Sequence, residues 1–283
     1  MSVVAFGAVR SCGVTTLALA AAATWPQGRR VLLAELDPAG GTLAAASGWP
    51  PQPGLVSLAA AARRGNDPEL VWEHCHELPA GVPVLAGPAS ADQTRTALGM
   101  LTGLLGRLGE LNADVLLDCG RVVAEPMSQA LLAPDQMVLV ARPRLADLHA
   151  LATWMESAPL KVNHLSLALV GQGPYSDAEV QEALGVPVVT HLPWDPDGAE
   201  GLVSLPASAR ELKVSPLVRA ARTLGDELSG QTTQSVPAHT EATVSVVPAA
   251  ALRSRVWRAW RPEPMSHLAN GTTNGNAPRE TTP

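Results

Sequence analysis

The chain has 283 residues, of which 46 % are hydrophobic and 16 % charged, so it is long enough to bury a sizeable core without disulfides. Its formal net charge is −6, and the acidity lies before residue 230, so direct DNA binding is not expected. The 3 cysteines match no zinc spacing and no apolar run reaches the roughly 20 residues of a membrane span, so we expect a cytoplasmic domain.

Residues 1–228 alternate short apolar runs with longer amphipathic segments. This pattern predicts an α/β fold, a mostly parallel doubly wound sheet with helices on both faces. The predicted strands are 2–6, 30–35, 82–86, 114–118, 136–141, 165–170 and 187–192. The predicted helices are 15–24, 55–64, 68–76, 91–108, 145–156, 177–184 and 216–228. Most of the strand segments are continuous apolar runs, as strands buried on both faces require.

The segment AVRSCGVTTLA, residues 8–18, joins the first strand to the first helix, where a phosphate-binding loop would lie. A full loop reads G-x-x-x-x-G-K-S/T: backbone N–H groups hold the phosphates, the lysine neutralises them and the hydroxyl binds Mg²⁺. In this alignment Gly13 is the second glycine and Thr15 supplies the hydroxyl. Ala8 replaces the first glycine and Val14 occupies the lysine position, so the most informative position of the motif is changed.

Carboxylates follow two of the predicted strands. The segment VLLAELDPAGG, residues 31–41, places Glu35 and Asp37 at the end of the second strand, and ADVLLDCG, residues 113–120, ends its strand in Asp118. The carboxyl ends of parallel strands share one edge of a sheet, which is the edge where α/β folds bind ligands. We therefore expect these carboxylates to lie beside the loop.

On these segments, and on LGVPVVTHLPWDPDGAEGL near the end of the domain, the chain resembles the ParA/MinD family of deviant-Walker P-loop ATPases over roughly residues 1–228. The resemblance implies ATP and Mg²⁺ as cofactors. The implied phosphate-binding residues are Ser11, Cys12, Gly13, Val14, Thr15 and Thr16. Asp37 would orient the attacking water, and Thr15 and Asp118 would hold Mg²⁺. The segment from Pro193 to Asp195 would approach the adenine.

Both lysines of the family's loop are absent. The family's signature lysine falls on Val9 and its loop lysine on Val14, and the only lysines, Lys161 and Lys213, lie far along the sequence. Arg10 is the nearest cation in sequence and is therefore the candidate catalytic residue beside Asp37. Phosphoryl transfer depends on charges that face the phosphates, so hydrolysis should suffer more than binding.

We therefore predict a pseudo-ATPase, or a very weak ATPase, that regulates localisation or assembly with a protein partner. The pattern looks most like the lysine-deficient members associated with pilus or secretion machinery (TadZ/CpaE-like). The alternatives are an active partitioning ATPase for plasmids, chromosomes or cargo that uses Arg10, and a ligase or synthetase on the same fold. Because Val9 replaces the lysine that spans the family's dimer, we expect no ATP-driven dimerisation, and a nucleotide-independent homodimer is left open.

After the domain, residues 229–283 are rich in Gln, Thr, Ser, Pro, Asn and Gly, a composition that predicts a disordered tail. Within it, ALRSRVWRAWR at 251–261 spaces Leu252, Val256 and Trp260 as on one helix face, with arginines elsewhere. Such a segment binds an anionic membrane or docks on a protein, unless it is only linker. If the segment binds a membrane, we expect peripheral contact at the inner face of that membrane.

Two cysteine-containing features carry weaker hypotheses. The HCH stretch at 74–76 lies on a predicted helix, where adjacent side chains point about 100° apart and cannot share one ion, so a surface or capping role is expected. Cys12 and Cys119 follow strands that end at the same edge, which would allow a redox-sensitive thiol pair.

Overall fold

The central strand β1 (Val3–Ala8) is buried along almost its whole length and pairs in parallel with a neighbour on each side. In the computed structural model the described residues are 1–122, 134–158, 162–203 and 214–231. The basic segment at 251–261 and nearly all of the predicted tail lie outside them.

The described residues form one sheet of 8 strands, in the order β3-β4-β2-β5-β1-β6-β7-β8. The β3–β4 pair is antiparallel, whereas the other neighbouring strands are parallel. The remaining strands are β2 (Val31–Glu35), β3 (His76–Glu77), β4 (Pro83–Leu85), β5 (Asp114–Arg121), β6 (Gln136–Ala141), β7 (His164–Val170) and β8 (Val188–Leu192). The predicted doubly wound, mostly parallel α/β fold is confirmed.

Helices cover both faces of the sheet. The α-helices are α1 (Val14–Ala23), α2 (Leu43–Ala46), α3 (Leu55–Ala62), α4 (Ala91–Leu105), α5 (Leu145–Ser157), α6 (Asp177–Leu184), α7 (Pro196–Val203) and α8 (Pro216–Gln231). Among the described residues, Pro68–His74 and Leu108–Glu110 form short 3₁₀ helices. Among the helices of the described residues, none combines the length and hydropathy needed to cross a bilayer.

The core consists of one apolar layer on each face. Val4 and Phe6 of β1 point into the layer that contains α1 and α8, whereas Ala5 points into the layer that contains α3, α4, α5 and α6. This alternation follows from the pleat of a strand, whose successive side chains point to opposite faces. Burial on both faces explains why the strands read as continuous apolar runs.

Each of the seven predicted strands is present, and six of the seven predicted helices are α-helical. The segment predicted as a helix at 68–76 is instead a 3₁₀ helix that ends at His74, and β3 begins at His76. The sequence did not predict β3, α2 or α7. Strand β3 has only 2 residues at the sheet edge, and the Pro-rich start of α7 resembles a loop.

Candidate functional site

The loop after β1 opens into α1 at Gly13, which has φ 99° and ψ 31° and caps the helix without a side-chain hydrogen bond. A left-handed φ favours glycine, because a Cβ there is strained. The first hydrogen bond of the helix runs from Leu17 N–H to the Gly13 carbonyl, at 3.0 Å. The N–H groups of Val14, Thr15 and Thr16 therefore have no helical acceptor and point out of the helix start, as a phosphate site requires.

The two positions that carry lysine in the resembled family are apolar and packed. Val14 is 5 % exposed and belongs to the core layer of α1 and α8. Val9 is half-buried and packs against the opposite layer. Val14 can therefore contact a phosphate only through its backbone N–H.

Arg10, the candidate cation of the sequence analysis, is exposed and lies toward α5. Its Nε is 3.7 Å from Asp147 Oδ1, and its side chain remains 59 % exposed. With Val9, Leu145 and His149 it lines a shallow apolar groove along α5. It does not line the pocket beside the loop that is described below.

Asp118, at the end of β5, is fully buried next to the loop. Its Oδ1 accepts a hydrogen bond from Gly120 N–H at 3.0 Å, whereas Oδ2 makes no regular hydrogen bond with the described residues. Burial raises the pKa of Asp118 to about 7; the Thr15 hydroxyl and Gly120 N–H lower it, and the charges of Glu35 and Asp37 raise it. The site thus holds a buried carboxylate whose Oδ2 makes no hydrogen bond of regular geometry with the described residues and which has the Thr15 hydroxyl beside it.

Glu35, opposite Asp118 in the sheet register, is also buried, but both of its carboxylate oxygens accept hydrogen bonds. Its Oε1 accepts hydrogen bonds from the N–H groups of Thr42 at 2.6 Å and Leu43 at 3.0 Å, and Oε2 accepts one from Gly87 N–H at 2.9 Å. Burial raises the pKa of Glu35, and these three hydrogen bonds oppose that rise. Its carboxylate therefore fastens the segment after β2 to the segment after β4.

Asp37 lies near both of these carboxylates, and its charge raises the pKa of each. Its Oδ1 accepts a hydrogen bond from Ala39 N–H at 2.8 Å, which shapes the turn after β2. The structure thus brings the predicted catalytic Asp37 and the predicted metal ligands Thr15 and Asp118 together at one sheet edge.

The donor set at this edge fits Mg²⁺. The unpartnered Asp118 Oδ2 and the Thr15 hydroxyl are hard oxygen donors, and Mg²⁺ is held in proteins by one or two such groups together with waters and phosphates. A bound cation would also offset the repulsion between the neighbouring carboxylates and a phosphate.

A pocket of about 250 Å³ opens on the other side of the loop, toward β6 and β8. It is lined by Ser11, Cys12, Gly13, Thr16, Leu17, Arg142, Val170, Leu192, Pro193, Trp194, Asp195, Pro196, Ala199 and Leu217. Four predicted phosphate-binding residues therefore share one pocket with Pro193 and Asp195. The approach of these last two residues to an adenine stays a prediction.

The carboxylate of Asp195 connects the starts of α7 and α8 through hydrogen bonds. Its Oδ1 caps α7 through Gly198 N–H at 3.0 Å, while Oδ2 accepts from the Ser215 hydroxyl at 2.7 Å and from Leu217 N–H at 3.3 Å. The hydrogen bond from Ser215, with those from Gly198 and Leu217, lowers the pKa of Asp195 against a smaller effect of burial. Asp195 thus shapes one wall of the pocket.

One charged pocket residue was missed by the sequence analysis. Arg142 directly follows β6 and lines the pocket. It could have been found, because it follows a correctly predicted strand end at the ligand-binding edge. Trp194, which lies within the range that the resemblance placed near the adenine, also lines the pocket and is 69 % exposed.

The structure gives no support to a redox-sensitive pair of Cys12 and Cys119. The Cys12 thiol donates to the Val140 carbonyl at 3.2 Å, and burial raises its pKa to about 12. Burial also raises the pKa of Cys119, which is buried and free, so neither thiol is activated. In the HCH stretch, His74 Nδ1 lies 2.8 Å from the Ser57 hydroxyl and His76 stacks on Trp49, and the described residues contain no metal-binding cluster of three or more side chains.

No protein-family model and no curated protein matches the chain. Solved structures with the same fold include a ParA family ATPase from Chlorobium tepidum TLS (TM-score 0.68, 16 % identity, covering 80 % of this chain and 98 % of that one). MinD with Mg-ADP from Pyrococcus horikoshii OT3 gives a TM-score of 0.64 at 20 % identity, covering 82 % and 97 %. The MinC:MinD complex from Aquifex aeolicus gives 0.57 at 13 % identity, covering 85 % and 99 %. The chain therefore has the fold of the ParA and MinD ATPases.

Proposed function

We propose that this protein is a ParA/MinD-like pseudo-ATPase, or a very weak ATPase, that regulates localisation or assembly. One observation carries the proposal: Val14, at the lysine position of the loop, is 5 % exposed and packed in the core, while Gly13, Thr15 and Asp118 keep the geometry of a phosphate and Mg²⁺ site. Such a site can still hold a nucleotide but lacks the charge that drives its cleavage.

Binding would use the backbone first. The free N–H groups at the start of α1 would hold phosphate oxygens, and the adjoining pocket would take the nucleoside. Thr15 and Asp118 would hold Mg²⁺, which when bound supplies positive charge to the outer phosphates. The presence of Mg-ADP in the MinD structure supports these cofactors for the present fold.

Hydrolysis would be impaired because the outer phosphates face carboxylates and no lysine. Asp37 remains in position to orient a water, but orientation without charge stabilisation leaves most of the barrier in place. A partitioning ATPase driven by Arg10 is disfavoured, since that side chain pairs with Asp147 at 3.7 Å and lies along α5.

A regulator of this kind acts through a protein partner, and the MinC:MinD complex gives a precedent on this fold. We place the partner in a localisation or assembly system, with pilus or secretion machinery as the finer proposal from the loss of both lysines. Val9, half-buried in the α5 groove, cannot make the charged contact of a lysine to a partner's nucleotide, so any homodimer would form without ATP. Peripheral membrane contact would come from 251–261.

Sedimentation velocity with Mg-ATP tests the proposal, with absorbance recorded for both protein and nucleotide. We expect nucleotide to sediment with the protein and the sedimentation coefficient to stay unchanged. An ATP-induced shift from monomer to dimer would contradict the proposal. Absence of any co-sedimenting nucleotide at concentrations well above the protein would remove the nucleotide-binding part of it.

A further inference from the structure

We infer that Arg142 supplies the positive charge that holds a nucleotide's phosphates on this lysine-free loop, approaching them from the nucleoside side. The inference rests on the proposed nucleotide binding and assigns the contact that makes it effective. Its basis is the position of Arg142, the absence of an ion pair or side-chain hydrogen bond from it to any described residue, and the chemistry of the pocket around it.

The sheet register brings Arg142 to the loop. Strand β6 pairs in parallel with β1, with Gly7 opposite Leu139, so the residues after β6 lie beside the loop that follows β1. Arg142 lines the 250 Å³ pocket together with Ser11, Gly13 and Thr16 of the loop. Its charge reaches the loop, because it lowers the pKa of the Cys12 thiol against the larger effect of burial.

The Arg142 guanidinium also has no partner among the described residues. Of the described residues that line the pocket, it is the one cation, and its guanidinium forms no ion pair or hydrogen bond within the described part of the chain. The pocket's one carboxylate, on Asp195, is engaged with Gly198, Ser215 and Leu217. A half-buried guanidinium facing a pocket that contains free helix N–H groups fits an anionic ligand.

The side from which Arg142 approaches decides what it can do. Strand β1 lies between β5 and β6, so Asp118 on β5 approaches the loop after β1 from one side and Arg142, after β6, from the other. A charge on the pocket side neutralises the phosphates nearest the nucleoside and leaves the terminal phosphate with the carboxylates. Arg142 would therefore strengthen binding of diphosphate and triphosphate alike and contribute little to cleavage of the last phosphate.

Calorimetric titration of the full chain with Mg-ADP and Mg-ATP tests this role in the wild type and in Arg142→Gln, Arg142→Lys and Arg10→Gln. Loss of a charge-assisted bidentate contact should weaken both nucleotides about tenfold or more in Arg142→Gln. Arg142→Lys should recover part of the affinity. Arg10→Gln, which removes a nearby exposed arginine, should bind within about twofold of the wild type.

The outcomes separate the two proposals. If the wild type binds neither nucleotide, the proposed nucleotide binding fails and the role of Arg142 falls with it. If the wild type binds and Arg142→Gln binds equally well, or Arg10→Gln loses as much, only the role of Arg142 is overturned. Should Arg142→Gln fail to fold in a thermal scan, Arg142→Met takes its place, and a Mg-ADP affinity equal to that of the wild type in this variant would overturn the role.

Discussion

The Asp37 carboxylate lies against Gly120, so close that a Cβ on Gly120 would overlap its Oδ2. Gly120 has φ +52°, in the left-handed region, and its N–H also holds Asp118 Oδ1 at 3.0 Å. One glycine near the end of β5 therefore allows the candidate water-orienting carboxylate and the candidate Mg²⁺ ligand to lie side by side.

Gly120→Ala should displace Asp37 and weaken Mg-nucleotide binding by about tenfold, in addition to a backbone cost of about 1–2 kcal/mol for a Cβ at a left-handed φ. Gly48→Ala is the matched control, because Gly48 has φ +66° and open space around its Cβ position. Titration calorimetry and thermal unfolding of both variants separate the effects. Equal binding by the two variants would show that the Asp37 contact is unimportant.

Asp118→Asn should stabilise the ligand-free protein by roughly 1–3 kcal/mol, because it removes a buried carboxylate whose Oδ2 has no regular partner among the described residues. The same change should abolish the Mg²⁺ dependence of nucleotide binding. Asp92→Asn, on an exposed helix surface, is the control and should alter neither property. A destabilised Asp118→Asn that still binds nucleotide with full Mg²⁺ dependence would refute the metal assignment.

His191 should make the β7–β8 edge sensitive to pH. Its Nδ1 lies 2.7 Å from Asp177 Oδ1 and its Nε2 2.7 Å from the Gly171 carbonyl, and both hydrogen bonds form only when both ring nitrogens carry protons. Burial lowers the pKa of His191, but the Gly171 carbonyl and Asp177 outweigh it and the net pKa is raised.

Because the folded-state pKa is raised, the stabilisation is complete below the unfolded value of about 6.5 and is lost as pH rises through the folded value. His191→Gln should therefore lower the melting temperature more at about pH 5.5 than at about pH 8.5. His149→Gln serves as the control, because His149 is exposed on the surface of α5. A pH-independent effect of His191→Gln would exclude the charged pair.

The tail should add membrane affinity. The intact chain should co-sediment with vesicles increasingly as their anionic content rises, since each arginine of 251–261 contributes about 1 kcal/mol near an anionic surface. A form that ends at residue 230 should not bind, and neither should the full chain with the four arginines of that segment replaced by glutamine. If intact and shortened forms bind alike at every composition, the segment is a protein-docking motif or a linker.

The fold was largely predictable because most of the buried parallel strands are continuous apolar runs in the sequence, and the bounds of Gln136–Ala141 were predicted to the residue. The acidic strand ends were predictable for the same reason, since Asp118 follows such a run directly. The individual roles were harder, because they depend on contacts between distant segments. Sequence position made Arg10 the nearest cation to the loop, but in space Arg142, more than a hundred residues later, lines the pocket, while Arg10 pairs with Asp147.

Phosphate release at saturating Mg-ATP, measured on protein that has been shown to bind nucleotide, tests whether the site hydrolyses ATP. We expect no Mg²⁺-dependent turnover above background in the wild type. We also expect no full restoration by Val14→Lys alone, because that side chain packs in the core at 5 % exposure. Turnover by the wild-type protein that disappears on Asp37→Ala would contradict the pseudo-ATPase proposal and identify a working ATPase.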